Sequence, residues 1–340
     1  MRLCSLGLVS LFVFAGCGLI QLKAPERSQA PRHEAGSAHF TLYTDVPLES
    51  AAAILEDFER STQVLGELGL VLPRGRRLSV VLFEQPFDFR GILPESQHKL
   101  IDAFFTDDSN DVVARPTVVM HAESGYVTNA ARATQTFQHE LTHFLVRTNL
   151  GQTPLWLNEG LAQFHETVEL DFASGELIVG RPPALELSHE WPPIEELQRA
   201  GWEQFRSPTR QHAFYAGAWA LVHLLVTDAR YHDGFVRFLA GIRGGSSWRD
   251  SWMASFPGLN AATLETDLRV HLSSGEPLAV RKKLDFAGSR KPEWADCRLR
   301  QIVAPRRAGT PAGTITRVLM FVSCVACLGD PGLPAVDRPG

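Results

Sequence analysis

Three metal-binding side chains lie within a short stretch near the middle of this 340-residue chain. His139 and His143 stand at the ends of the pentapeptide H-E-L-T-H, and Glu159 lies in W-L-N-E-G-L-A, 16 residues after His143. On a helix, residues i and i+4 share one face, with Cβ atoms about 5–6 Å apart, so the two imidazoles can bind one ion from the same side. Three protein ligands with one open position are typical of a catalytic zinc site, whereas a structural zinc usually has four. We therefore predict that these three residues hold one Zn²⁺ ion.

Glu140 is the candidate for acid–base chemistry beside that ion. On a helix it is rotated by about 100° from His139, so its carboxylate can reach a water molecule on the ion. We predict that Glu140 is the general base that activates this water. The alternative is a helix with two unrelated surface histidines, and the second motif around Glu159 argues against it.

The first motif is predicted to lie on a helix of residues 129–149, which Thr128 or Asn129 can cap and Gly151 can end. One face of this helix, nearly opposite the histidines, is apolar and carries Phe137, Leu141, Phe144 and Leu145. We expect this face to pack on a sheet and the other face to line a cleft. Asn158 is predicted to cap a second helix, with Glu159 in its first turn.

The segments on either side predict an α+β fold with two lobes. Before the motif, the pattern predicts a helix at 48–68, a loop with a short helix at 84–111, and strands at 39–44, 77–83 and 112–121. After the motif it predicts a hairpin and then mainly helices, at 193–200, 207–225, 232–242 and 261–272. We expect a small N-terminal α/β lobe with a short sheet over 38–151, a mainly helical lobe over 152–275, and the metal cleft between them.

The first 17 residues are predicted to be a bacterial lipoprotein signal peptide. Arg2 supplies the positive charge, residues 6–15 are apolar but too short to cross a bilayer, and F-A-G-C, ending at Cys17, resembles a lipobox. Lipidation of Cys17 would anchor the protein to the cell envelope, outside the cytoplasm. The alternative is an ordinary signal peptide cut nearby, which would give a secreted soluble protein. The polar residues 18–37 are predicted to form a tether.

Composition also bears on the C-terminal segment and on the partners of the protein. Residues 276–340 are predicted to form a disordered tail, since Arg, Pro and Gly dominate much of this segment. The pair Cys324 and Cys327 lies in this tail, with a redox or metal pair as the alternative interpretation. The net charge of −5 gives no indication of a nucleic-acid partner.

Taken together, the two motifs resemble those of the gluzincin metallopeptidases, the clan that includes thermolysin and the aminopeptidase N family. W-L-N-E-G-L-A is very similar to the aminopeptidase form. That family has 18 residues between the second histidine and the glutamate, where this chain has 15, at 144–158. The family's G-x-M-E-N segment is also missing here. The resemblance, over about residues 38–274, therefore favours the small bacterial peptidase-MA-like proteins of unassigned substrate, and it implies a zincin-like fold.

The resemblance implies zinc-dependent hydrolysis of peptide bonds, with a peptide or protein as the substrate. Aminopeptidases stabilise the oxyanion with a downstream tyrosine, which makes Tyr215 the candidate here and His212 the alternative. Two other functions stay open: a zinc-fold binding or scaffold lipoprotein without catalysis, and a zinc hydrolase of non-peptide amides. An intact Glu140 argues against the first of these.

Overall fold

The structure, a computed structural model, describes residues 11–15, 18–22, 33–93, 95, 102–106, 116–122, 130–171, 174–182, 191–273, 279–284 and 298–301. Over these residues the chain is mixed α+β, as predicted. Cys17, Cys324, Cys327 and the two candidate helix caps Thr128 and Asn129 lie outside them, so the interpretations of those residues stay predictions.

Two sheets are formed by the strands of the described segments. These strands are β1 (Leu11–Ala15), β2 (Gly18–Leu22), β3 (His33–Gly36), β4 (Phe40–Thr44), β5 (Leu78–Phe83), β6 (Ala103–Thr106), β7 (Thr117–His121), β8 (Glu169–Asp171), β9 (Glu176–Val179), β10 (Val280–Lys283) and β11 (Arg298–Gln301). The larger sheet has the order β11-β3-β4-β5-β7-β6-β1-β2, and the smaller one has the order β10-β9-β8. The predicted hairpin after the second motif is therefore confirmed as β8 and β9, which pair antiparallel.

The centre of the larger sheet is parallel and buried. β5 pairs in parallel with β4 on one side and with β7 on the other, and every residue of these three strands is buried. The three strands that the sequence predicts are therefore confirmed. Continuous apolar burial of this kind is typical of a parallel sheet that is covered on both faces.

Several strands lie where composition predicted loops or unstructured chain. β2 and β3 fall in the segment predicted as a tether, and β10 and β11 fall in the segment predicted as a tail. β10 and β11 read Val-Arg-Lys-Lys and Arg-Leu-Arg-Gln. Polar strands like these are held by backbone hydrogen bonds at a sheet edge, which composition does not reveal. β6, in the segment predicted as a loop with a short helix, is a four-residue run too short for periodicity to identify.

The first hairpin is attached only lightly to the larger sheet. β1 overlaps the apolar part of the predicted signal peptide and pairs with β6 at Ala15 and Thr106. The central strands β4, β5 and β7 pair with one another without it.

The described helices cover the sheet and build the second half of the fold. They are α1 (Leu48–Glu67), α2 (Pro86–Gly91), α3 (Ala130–Leu150), α4 (Leu155–Glu166), α5 (Ile194–Arg199), α6 (Trp202–Phe205), α7 (Gln211–Thr227), α8 (Ala229–Arg243), α9 (Trp248–Ser255) and α10 (Ala261–Ser273). The predicted helices are confirmed, while α6 and α9 were not predicted. Across the described residues, none of these helices has the length and apolar character needed to cross a membrane.

α3, the helix of the first motif, is enclosed on both sides. Its apolar face is buried as predicted, with Phe137 stacked on Phe58 of α1 at 3.6 Å between ring centroids and Phe144 near Phe105 of β6 at 5.5 Å. The opposite face packs against α4. His143 is buried there, and the side chain of His139 is 18% exposed.

α4 begins earlier than the sequence predicted. Its first residue is Leu155, so Asn158 lies inside the helix and Glu159 comes one turn later than expected. The carbonyl of Pro154 accepts hydrogen bonds from the backbone N–H groups of Leu157 and Asn158, so the helix starts without a side-chain cap. The earlier start buries Trp156 and Leu157 in the core, which offsets the missing cap.

Close contact between α4 and α7 depends on Gly160. A Cβ atom at this position would lie 2.5 Å from the carbonyl oxygen of Ala218 and 2.6 Å from Cγ2 of Val222. Because one of these atoms belongs to the backbone, the contact cannot be relieved by a side-chain rotation. Glycine at residue 160 therefore sets how closely the helix that carries Glu159 approaches α7.

Gly160→Ala should lower the free energy of unfolding by about 1–3 kcal/mol, because α4 and α7 must separate to accept the methyl group. Gly66→Ala is the matched control, since its Cβ would meet no atom within 4 Å and alanine is favoured over glycine in a helix by about 0.5–1 kcal/mol. Urea unfolding followed by circular dichroism measures both. Equal stability of the two variants would contradict the close packing at Gly160.

Candidate metal centre

The structure brings the three predicted metal ligands together at the interface of α3 and α4. Glu159 Oε2 lies 3.5 Å from His139 Nε2 and 3.6 Å from His143 Nε2. The two imidazole rings are 4.8 Å apart between centroids and nearly perpendicular, at 84°. The ligand atoms of all three residues lie within 4.8 Å of one another, so this group could hold a metal ion.

Burial and missing hydrogen bonds make this group suited to a cation. Glu159 is 0% exposed, and neither of its carboxylate oxygens has a hydrogen-bond partner among the described residues. Both ring nitrogens of His143 are also buried without such a partner. A buried carboxylate without hydrogen bonds is costly unless a positive charge compensates for the lost water.

The charges of the group shift the pKa values of its members in opposite directions. Burial alone would raise the pKa of the Glu159 carboxyl, but the neighbouring His143 and His139 outweigh this effect and hold that pKa below its usual value. Burial lowers the pKa of His139, but the nearby carboxylate of Glu159 and the hydrogen bond with Glu166 raise it well above the usual value. The group therefore attracts positive charge, which a proton or a metal ion can supply.

Glu140 lies beside the ligands and faces β6. Burial raises the pKa of its carboxyl group, and the backbone N–H of Phe105 donates a hydrogen bond to it. Its second oxygen, Oε2, is buried and has no hydrogen-bond partner among the described residues. A carboxylate with one fixed oxygen and one unpaired oxygen can accept a proton from a water molecule beside it.

Glu166 is a site residue that the sequence analysis missed. Its Oε2 lies 2.7 Å from His139 Nδ1, the ring nitrogen that does not face Glu159. A carboxylate at this position fixes the tautomer and orientation of a metal-binding histidine. Its spacing in the sequence could have identified it, since Glu166 follows Glu159 by seven residues, which is two helical turns along the same face.

The two candidates for oxyanion stabilisation lie on the first turns of α7. Tyr215 is half-buried, and its ring contacts Phe205 edge-on at 5.2 Å between centroids. Arg206, the next residue after Phe205, is close enough to contribute to the lowered pKa of Glu159. His212 is exposed.

Four other histidines contact residues away from the candidate metal centre. His165 shares a hydrogen bond with the carbonyl of Leu161 at 2.8 Å, and burial lowers its pKa to about 4, so it is neutral. His223 and His271 lie 2.8 Å apart between Nδ1 and Nε2. His121 packs on Phe89, 5.1 Å away between ring centroids.

Comparison with known protein families locates both motifs in one conserved domain model. Residues 133–243 match the model of a family described as a protein of unknown function, DUF1570. The matched segment contains the three ligands, Glu140, Glu166 and Tyr215, and it extends from α3 to the end of α8. The family description names no activity. A comparison with curated proteins found none that matches this chain.

Glu166→Gln should weaken metal binding, measured with Zn²⁺ as the probe, by about 10- to 100-fold while leaving the fold intact, because the amide is a poorer acceptor for the ring N–H of His139. Zinc affinity is measured by competition with a chromophoric chelator. Glu169→Gln is the control, since Glu169 is exposed and bonds to Arg181 at the surface. Equal zinc affinity of the two variants would remove Glu166 from the site.

Proposed function

We propose that this protein is a zinc-dependent metallopeptidase of the gluzincin type, which hydrolyses peptide bonds with Glu140 as the general base. The observation that carries the proposal is the buried cluster in which the ligand atoms of His139, His143 and Glu159 lie within 4.8 Å of one another, with Glu140 next to His139 on the same helix. The zincin-like arrangement of sheet, active helix and third ligand is part of the same proposal.

Zinc suits the donor set. Two imidazole nitrogens and one carboxylate oxygen are common zinc ligands, and three of them leave one position open. Ligand atoms bonded at about 2.1 Å to one tetrahedral ion are about 3.4 Å apart. The 3.5 and 3.6 Å distances from Glu159 Oε2 to the two imidazoles are close to this separation.

In the proposed mechanism, the metal site activates a water molecule and Glu140 transfers its proton. A bound zinc ion would lower the pKa of its water ligand towards about 7 and polarise a substrate carbonyl. Glu140 takes the proton from the attacking water and passes it to the leaving amine. Burial raises the pKa of the Glu140 carboxyl, which brings it closer to the range in which a carboxylate both accepts and returns a proton.

Tyr215 is the proposed hydrogen-bond donor to the oxyanion that forms during hydrolysis. It is one of the partly buried residues that pack against the core, and it lies on the second turn of α7. A phenolic hydroxyl supplies one directed donor where negative charge develops. His212 is the alternative donor.

Glu140→Gln should retain zinc and lower the rate of peptide hydrolysis by about 10²- to 10⁴-fold, because an amide cannot accept the proton. Zinc content is measured by metal analysis, and turnover by digestion of a peptide library beside the wild type. His143→Ala is the companion variant, which should lose both zinc and activity. Peptide cleavage by Glu140→Gln at the wild-type rate would disprove the mechanism.

The same digest separates the alternative functions. A wild-type protein that binds zinc and cleaves no peptide, but hydrolyses another amide in a substrate screen, would be a hydrolase of non-peptide amides. A zinc-bound protein inactive on every amide would be the binding or scaffold protein. The unpaired and buried Oε2 of Glu140 favours catalysis, because a site without turnover has no use for it.

Tyr215→Phe should lower kcat by about 10²- to 10³-fold with zinc content unchanged, because one donor to the oxyanion is lost. His212→Asn is tested beside it and should keep wild-type kcat. Steady-state kinetics on the peptide found in the library digest gives both values. The reverse result, a loss for His212→Asn alone, would transfer the role to His212.

A further inference from the structure

Gln163 is a buried polar residue on α4 that the proposed mechanism does not use. Its side chain is 2% exposed in relative area. Neither the amide nitrogen nor the amide oxygen has a hydrogen-bond partner among the described residues. A buried amide without partners lowers stability and is therefore rare in folded proteins, unless another group or a bound molecule satisfies it.

Glu159 presents an unpaired acceptor one helical turn before Gln163. Its Oε2 is the oxygen turned towards the two imidazoles, at 3.5 and 3.6 Å. Its Oε1 is buried and has no hydrogen-bond partner among the described residues. When Oε2 binds the ion, Oε1 remains as an acceptor that water cannot reach.

The face of α4 that carries Gln163 is turned towards the metal centre. Glu159, Gln163 and Glu166 lie at positions i, i+4 and i+7, which form one stripe on a helix. The first and last members of this stripe both reach His139, at 3.5 and 2.7 Å. The middle member therefore lies between two residues that contact the centre. Side chains at i and i+4 have Cβ atoms about 5–6 Å apart, within reach of a hydrogen bond between glutamine and a carboxylate.

We propose that Gln163 is a positioning residue for the metal ligand Glu159. Its amide N–H donates to Glu159 Oε1 and fixes the carboxylate with Oε2 directed at the ion. Only side-chain rotation is needed, because the helix holds both backbones in place. The inference rests on the metal centre of the proposed function and is independent of peptide hydrolysis.

If Gln163 positions Glu159, Gln163→Met should change zinc affinity and the stability of the metal-free protein in opposite directions. Zinc affinity should fall by about 10- to 100-fold, as is usual when a metal ligand loses its hydrogen-bond partner. The metal-free protein should gain stability, because methionine fills the same space without an unpaired amide, and its Tm should rise by about 2–4 °C. A residue with a purely structural role would change the Tm and leave zinc affinity unaltered.

Gln198→Met is the matched control. Gln198 lies on α5, and its Nε2 is also buried without a hydrogen-bond partner among the described residues. It lies outside the stripe on α4, so this variant should keep wild-type zinc affinity. Gln163→Leu provides a second apolar replacement if methionine prevents folding.

Chelator competition and thermal unfolding of the metal-free protein are measured for wild type and all three variants. A loss of zinc affinity for both Gln163 variants, with none for Gln198→Met, supports the inference. Wild-type zinc affinity in Gln163→Met or Gln163→Leu overturns it. Failure of the wild type to bind zinc would instead disprove the metal centre and the proposed function, and this is seen without any variant.

Discussion

An ionised carboxylate loses its hydration when it is buried, and this loss must be offset by positive charge or by hydrogen bonds. In this protein the carboxylate that loses its hydration is that of Glu159, which is 0% exposed. Its position follows from the packing of α4 between α3 and α7, where Gly160 permits close contact with Ala218. The two imidazoles, the carboxylate of Glu166 and the side chain of Glu140 are then arranged around that buried charge.

The sheet contributes to the same centre from the other side of α3. Phe137 and Phe144 hold α3 against α1 and β6, with ring contacts of 3.6 and 5.5 Å. The backbone N–H of Phe105 on β6 reaches Glu140. The orientation of the Glu140 side chain therefore depends on the sheet, while the position of Glu159 depends on the helices that follow.

The sequence predicted the parts of the fold that repeat a pattern over many residues. The long helices and the buried parallel strands have such patterns, and the ligands His139, His143 and Glu159 occur in two motifs with recognisable spacing. Short or polar elements were missed, because β6 has four residues and β11 is held at a sheet edge by backbone pairing. The start of α4 was misplaced, since burial of Trp156 outweighed the preference of Asn158 for a cap. Helical spacing places Glu166 and Gln163 on the same face as Glu159, but only the packing of α4 on α3 shows that this face lies against His139.

The short connection between α3 and α4 has a consequence for folding. Four residues, 151–154, join the two helices, and Gly151 makes the turn with a φ of 79°. All three ligands therefore belong to one helical hairpin, and closing so short a loop costs little chain entropy. The hairpin can gather its ligands before the distant strands of the sheet have paired, because local contacts form faster than long-range ones. An ion bound at that stage would bind incompletely folded chain as well as native protein, and it would then add less to the equilibrium stability than its affinity for the native state alone would give.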